Sequence, residues 1–151
     1  MESTSSKTYQ NRVSVEINAA PERVFAALAD VATQTDWARG PEEIRSLSEN
    51  PARLGTSWQQ VGKVMGRTMV AECRVNAYEE NRRFGFSGDK PFPFRVAWDL
   101  EPASGGTKLS MGGQFEPGGF FKIATPVLNS SMESQMKADL LTLKAKLEAE
   151  G

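Results

Sequence analysis

The residues that most often perform nucleophilic or acid–base chemistry are scarce in this chain. Histidine is absent, and Cys73 is the only cysteine among the 151 residues. This composition excludes Ser-His-Asp and Cys-His nucleophile activation, histidine-based zinc sites and an intramolecular disulfide. A lone buried cysteine usually behaves as an inert small hydrophobe. The sequence therefore predicts no catalytic residue, no metal site and no cofactor.

Other polar side chains are candidates for a weaker role. Asp30 and Asp36 are interpreted as helix caps, while Arg39 and Arg67 flank predicted loops where they could meet an anionic or carbonyl head group. If the chain were an enzyme, its general acid or base would have to come from a short set of side chains. That set is Asp36, Arg39, Gln60, Glu72, Arg74 and Tyr78.

Charge and length restrict the partners that the chain can have. Lysine and arginine number 18 against 19 acidic residues, which gives a net charge of −1 and no basic surface for nucleic acid or an anionic membrane. Residues 1–8 are polar and are predicted to form a disordered tail, without the apolar run of a signal peptide or membrane span. We expect one cytoplasmic domain over residues 9–149, without integral membrane association and either monomeric or dimeric.

The elements that must position these side chains follow from hydrophobic periodicity. Alternation predicts a strand over 9–17, and Pro21 with helically spaced apolar residues predicts a short helix over 21–29, capped by Asn18. Residues 30–37 predict a second short helix or a set of turns. Period-two segments separated by turn residues then predict an antiparallel meander. Its strands are expected at 42–49, 55–63, 67–78, 82–88, 92–101 and 106–116.

A long amphipathic helix is predicted over about 119–149. Apolar residues recur there at steps of three or four, and Asp139 is assigned to the polar side of the helix. Pro126 predicts that the helix begins or bends near 122–126, which would bring Phe120 and Phe121 over one end of an internal cavity. The apolar stripe consists of Leu128, Met132, Met136, Leu140, Leu143 and Leu147.

Four short motifs resemble, in their order and spacing, the START-like, polyketide cyclase/dehydrase (SRPBCC) superfamily. They are Ala20-Pro-Glu-Arg-Val-Phe25 followed by Asp30 and Trp37, Gly55-Thr-Ser-Trp58, Trp98-Asp-Leu-Glu-Pro102 followed by Gly105-Gly-Thr-Lys-Leu109, and Ala138-Asp-Leu-Leu-Thr-Leu-Lys144. The resemblance covers about residues 9–149 and implies an α+β helix-grip fold. In that fold a seven-stranded antiparallel sheet wraps around a long C-terminal helix, with two short helices after the first strand. The resemblance also implies an internal pocket for hydrophobic ligands, without selecting one activity.

Strand parity predicts which side chains face that pocket. The more apolar face of each strand is taken as inward, so the opposite phase, with Glu72, Arg74, Arg95 and Asp99, is expected to face water. The inward aromatic and methionine side chains suit an aromatic, polycyclic or lipid-like ligand. The predicted ligand-binding residues are Trp58, Gln60, Met69, Phe84, Phe86, Phe94, Trp98, Met111, Phe115, Phe121 and Met132.

Two functions remain open from the sequence. The first is a carrier or sensor that binds a hydrophobic small molecule between the sheet and the last helix. The second is a polyketide cyclase or dehydratase acting on a polycyclic substrate in the same cavity. Cys73 is the only ionisable residue at the positions assigned as inward, which favours binding over catalysis. A protein-interaction module similar to chaperone activators would need a large apolar or charged face, which the even scatter of charges does not indicate.

Overall fold

The computed structural model describes residues 11–64, 66–116 and 125–150. The chain begins with strand β1 (Asn11–Ile17), helix α1 (Pro21–Ala29) and a short 3₁₀ helix (Val31–Asp36). It ends with a long helix, α2 (Thr125–Glu150). The six strands between them are β2 (Pro41–Arg45), β3 (Ser57–Val64), β4 (Arg67–Glu79), β5 (Arg83–Gly88), β6 (Phe94–Ala103) and β7 (Gly106–Phe115).

The strands form one seven-stranded antiparallel sheet in the order β1-β7-β6-β5-β4-β3-β2. This confirms the predicted α+β helix-grip architecture. Most predicted strands match within a few residues, but the strand predicted at 42–49 ends at Arg45. The next residue, Ser46, has a φ of 56°, a left-handed conformation that cannot continue an extended strand.

Helix α1 buries Val24, Phe25 and Leu28 against the sheet, as its periodicity predicts. The predicted caps are wrong. Ala20 occupies the N-cap position without a side-chain hydrogen bond, because Pro21 is already the first helical residue. Asn18 lies too far upstream, and its backbone N–H donates instead to Glu148 Oε2 at 2.8 Å.

The acidic residues beside the 3₁₀ helix do not cap it either. Asp30 precedes that helix but makes no side-chain cap hydrogen bond. Its carboxylate Oδ1 accepts a hydrogen bond from Asn50 Nδ2 at 2.9 Å instead. Asp36 is the last residue of the 3₁₀ helix, so it does not occupy the position of an N-cap.

Helix α2 packs across one face of the sheet and also reaches its edge. The buried stripe includes Leu140 and Leu143, both with no exposed surface, and burying such a side chain contributes roughly 1.5–3 kcal/mol. At the sheet edge, Lys137 Nζ donates to the carbonyl oxygen of Ser14 at 2.8 Å. Lys144 Nζ donates to that of Glu16 at 2.7 Å. The helix is therefore held both by apolar burial and by hydrogen bonds to the backbone of β1.

The predicted strand parity is confirmed. Glu72 and Arg74 are exposed, and Arg83 forms an ion pair with Asp99, directly opposite it on the neighbouring strand. The predicted tail at 1–8 and the predicted lid residues Phe120 and Phe121 lie outside the described residues. No helix in the described part of the chain combines the length and apolar character needed to cross a bilayer. The inward residues found buried are Cys73, Val75, Phe84, Phe86, Val96, Trp98 and Met111.

Candidate functional site

A cavity of about 190 Å³ lies between the sheet and helix α2. One buried water needs only about 10–15 Å³ on this kind of measure, so the space exceeds that of a single water by an order of magnitude. Strand β4 contributes Met69 and Ala71 to its wall, and α2 contributes Met132, Met136 and Asp139. The site therefore forms where the long helix faces the sheet without filling the space between them.

Eight of the eleven predicted ligand-binding residues line this cavity. Trp58 and Phe84 do not; both lie in the packed core beside it. Phe84 packs edge-on against Phe25 of α1, with ring centroids 6.1 Å apart, so α1 covers this part of the sheet. Phe121 lies outside the described residues. The eight residues at the wall are Gln60, Met69, Phe86, Phe94, Trp98, Met111, Phe115 and Met132.

The aromatic part of the wall is a connected group of rings. Phe86 lies 5.8 Å from Trp98 and 6.3 Å from Phe94, and Trp98 lies 6.2 Å from Trp37, all measured between ring centroids. These stiff surfaces offer flat apolar contacts, while the methionines on the facing elements adapt to irregular shapes. The wall thus suits a flat or branched apolar molecule.

Asp139 is a candidate site residue that the sequence analysis does not identify. Its side chain is only 6% exposed and lines the cavity from α2. Burial raises the pKa of its carboxyl from 3.8 to about 6, partly opposed by the backbone N–H and the charge of Arg39. That N–H donates to Asp139 Oδ1 at 3.1 Å. The second carboxyl oxygen, Oδ2, has no hydrogen-bond partner among the described residues.

A helical projection of α2 shows that Asp139 lies on the apolar side of the helix. At about 100° per residue, Asp139 lies roughly 20° from Met132 and about 60° from Met136 around the helix axis. It is therefore inside the apolar stripe and not on the polar side to which it was assigned. The expectation that Cys73 is the only inward ionisable residue is accordingly wrong.

Three polar atoms on side chains that line the cavity are themselves fully buried and have no hydrogen-bond partner among the described residues. They are Gln34 Oε1, Trp37 Nε1 and Trp98 Nε1, each on a buried side chain that lines the cavity. Buried polar groups are usually paired, so each such atom calls for an explanation. We refer to Gln34, Trp37, Trp98 and Asp139 together as the polar cluster.

The polar cluster is connected through the segment around the 3₁₀ helix. The backbone N–H groups of Trp37 and Ala38 donate to the carbonyl oxygen of Gln34 at 3.2 and 2.9 Å. The next residue, Arg39, then hydrogen-bonds Asp139 on α2. One turn of chain thus carries Gln34 and Trp37 to the cavity wall and ties that wall to the long helix.

The other acid–base candidates lie away from the cavity. The Arg74 guanidinium donates to the carbonyl oxygen of Gly55 at 2.9 Å, and Tyr78 packs against Phe25 with centroids 5.3 Å apart. Asp36, Glu72 and the predicted mouth residues Arg39 and Arg67 are exposed and are not among the described lining residues. Of the predicted acid–base set, only Gln60 reaches the wall.

Gln60 is oriented by a neighbour in the core. Its Oε1 accepts a hydrogen bond from Trp58 Nε1 at 3.4 Å, so Trp58 contributes to the site without lining it. Burial raises the pKa of the Cys73 thiol to about 12, which leaves the thiolate form negligible at neutral pH. Among the described residues, Lys63 and Asp139 are the only charged side chains that line the cavity.

The sequence matches the family model described as "Polyketide cyclase / dehydrase and lipid transport" over residues 10–148. The chain therefore belongs to this family, as its motifs indicate. The description covers both enzymes and lipid transport proteins, so it agrees with an internal site for hydrophobic ligands and leaves the activity open. A comparison with curated protein sequences finds no match.

Solved structures share the fold across nearly the whole chain. TTHA0849 from Thermus thermophilus has a TM-score of 0.78 at 18% identity, covering 93% of this chain and 98% of that one. NE0264 from Nitrosomonas europaea has a TM-score of 0.69 at 13% identity, covering 96% and 97%. DR_A0006 from Deinococcus radiodurans has a TM-score of 0.67 at 15% identity, covering 93% and 97%. At these identities the likeness concerns the fold alone.

Proposed function

We propose that this protein binds a hydrophobic small molecule, aromatic, polycyclic or lipid-like, in the cavity and acts as its carrier or sensor. The observation that carries the proposal is the cavity itself, a concave space of about 190 Å³ between the sheet and α2 with a largely apolar lining, as is typical of small-molecule sites. Aromatic and methionine side chains supply ten of its 22 described lining residues. Removing apolar surface from water would supply roughly 25 cal/mol per Å² of binding energy.

Filling the cavity tests this function. Ala71 lines the cavity, whereas its neighbour Val70 is 40% exposed on the opposite face of β4. Ala71→Phe should block the cavity, and Val70→Phe adds a similar aromatic ring outside it. We expect Ala71→Phe to bind the neutral fluorophore N-phenyl-1-naphthylamine at least tenfold more weakly than the unaltered chain, and Val70→Phe to bind it within twofold.

The readout must separate blocking from misfolding. Each variant is therefore first checked for a cooperative unfolding transition, and Met132→Trp offers a second obstruction from the α2 side. If both cavity variants fold and bind the fluorophore as tightly as the unaltered chain, the binding site lies elsewhere. The proposed function would then be rejected.

A cyclase or dehydratase in the same cavity is a second candidate, and Asp139 is the observation that favours it. A carboxyl with a pKa of about 6 exchanges protons near neutral pH. In a dehydration it could take the α-proton of a β-hydroxy ketone and return it to the departing hydroxyl, which leaves as water. Formation of the conjugated product would be followed by absorbance. We expect Asp139→Asn to slow it at least 100-fold, and an undiminished rate would exclude this role.

A further inference from the structure

The described lining of the cavity holds one buried charge. Asp139 is 6% exposed, whereas Lys63, the other charged lining residue, is exposed near the end of β3. An exposed ammonium is hydrated, so its pull on a ligand charge is weak compared with that of a buried carboxylate. The electrostatic character of the interior is therefore set by Asp139.

Building on the proposed function, we propose that Asp139 binds the head group of the ligand. The cavity then accepts apolar ligands that carry a hydrogen-bond donor, either a hydroxyl or a protonated amine, and it rejects carboxylates. The shared chemistry of the accepted head groups is an O–H or N–H donor directed at a carboxylate oxygen. Oδ2 of Asp139 is the acceptor, because Oδ1 already accepts the backbone N–H of Arg39.

One unpartnered acceptor of the polar cluster, Gln34 Oε1, supports this selectivity. Gln34 Oε1 is a buried acceptor without a partner among the described residues. A buried polar group without a partner destabilises the folded chain, and a ligand donor that reached Gln34 Oε1 would recover this cost. The indole N–H groups of Trp37 and Trp98 are donors, and a hydroxyl oxygen has lone pairs to accept one of them.

A carboxylate head group could accept from the indole N–H groups of Trp37 and Trp98, but it offers nothing to the two acceptors. It brings only acceptors, so neither Gln34 Oε1 nor Asp139 Oδ2 would gain a partner. It also places a second negative charge beside Asp139 in a poorly solvated space, where like charges repel strongly. Either the ligand or Asp139 would have to take up a proton before the ligand could bind with its carboxyl group next to Asp139.

Three naphthalenes with nearly the same skeleton test the selectivity. 2-Naphthalenemethanol, 2-naphthylmethylamine and 2-naphthoate are used to displace N-phenyl-1-naphthylamine at pH 7.5. We expect the alcohol and the amine to displace the fluorophore at concentrations at least tenfold lower than 2-naphthoate. In Asp139→Asn, which keeps an oxygen for the Arg39 N–H, we expect this difference to fall below threefold.

Controls separate this inference from the proposed function. Glu133→Gln removes an exposed carboxylate from the same helix and should leave the tenfold difference unchanged. Asp139→Ser gives the same comparison as Asp139→Asn if the latter folds poorly. If the fluorophore binds but 2-naphthoate displaces it as well as the alcohol does, or if the difference persists without the carboxyl, the inference is wrong and the proposed function stands. If neither the fluorophore nor any naphthalene binds, both are wrong.

Discussion

The backbone N–H of Arg39 donates to Oδ1 of Asp139 at 3.1 Å and joins residues 100 positions apart in the chain. This contact links the segment after the 3₁₀ helix to the middle of α2. It holds one carboxyl oxygen of Asp139 in place and leaves the other without a partner among the described residues. The proposed contact with a ligand's head group depends on this arrangement.

Burial of the Asp139 carboxyl should also lower the free energy of unfolding at neutral pH. Its pKa is raised from 3.8 to about 6 in the folded chain, so the folded state holds the proton to higher pH than the unfolded state does. The contribution of this carboxyl to stability is therefore greatest below about pH 4 and falls as the pH rises through 6. The amide introduced by Asp139→Asn does not titrate, so the stability of this variant relative to the unaltered chain should rise by up to about 3 kcal/mol between pH 4 and 7.

Urea unfolding at several pH values measures this difference. Glu133→Gln, on the exposed side of α2, serves as the control and should shift stability by less than about 0.5 kcal/mol at each pH. A difference between Asp139→Asn and the unaltered chain that stays constant from pH 4 to 7 would contradict the raised pKa.

The buried hydroxyl of Thr107 should contribute measurably to the free energy of unfolding. Thr107 has no exposed surface, and its Oγ1 donates to the carbonyl oxygen of Ala19 at 2.7 Å. Thr107→Val conserves the shape but leaves that carbonyl without this donor, so we expect a loss of about 1–3 kcal/mol in the free energy of unfolding. Thr68→Val, at an exposed position of β4, should change it by less than about 0.5 kcal/mol. Equal effects of the two substitutions in denaturant titrations would refute the role of this hydrogen bond.

The single thiol should be unreactive in the folded protein. Cys73 is 3% exposed, and burial raises the pKa of its thiol to about 12. Ellman's reagent should therefore modify Cys73 at pH 8 at least 100-fold more slowly in the folded chain than in guanidinium chloride, because both access and thiolate are lacking. Rapid modification of a chain that is folded by circular dichroism would show that the core around β4 opens readily.

The ion pair on the outer side of the sheet should contribute little. Arg83 and Asp99 lie directly opposite each other on β5 and β6, with side chains 28% and 37% exposed. Cross-strand pairs at such partly exposed positions contribute roughly 0.2–1 kcal/mol. Asp99→Asn should therefore lower the free energy of unfolding by no more than about 1 kcal/mol, and by less at high salt. A larger loss, unchanged by roughly molar NaCl, would indicate a structural role beyond charge pairing.

The sequence predicts the fold well because alternation and helical spacing report which face of each element is buried. Cys73 and Trp98 are placed correctly by parity alone. Parity does not report which element covers a given face of the sheet. It therefore cannot distinguish Phe84, which α1 covers, from Phe86, which lines the cavity. The charge of Asp139 suggests an exposed position, although its helical angle places it in the buried stripe.

The lysines that hold α2 to β1 also bear on how this sheet meets other molecules. β1 is one of the two edge strands, and an edge strand with free carbonyl groups is a template for strand addition from another chain. The Ser14 and Glu16 carbonyls already accept hydrogen bonds from Lys137 and Lys144. An incoming strand would have to displace both ammonium groups before it could pair there. The two hydrogen bonds therefore protect the β1 edge against intermolecular β-sheet growth, the first step of many aggregation reactions.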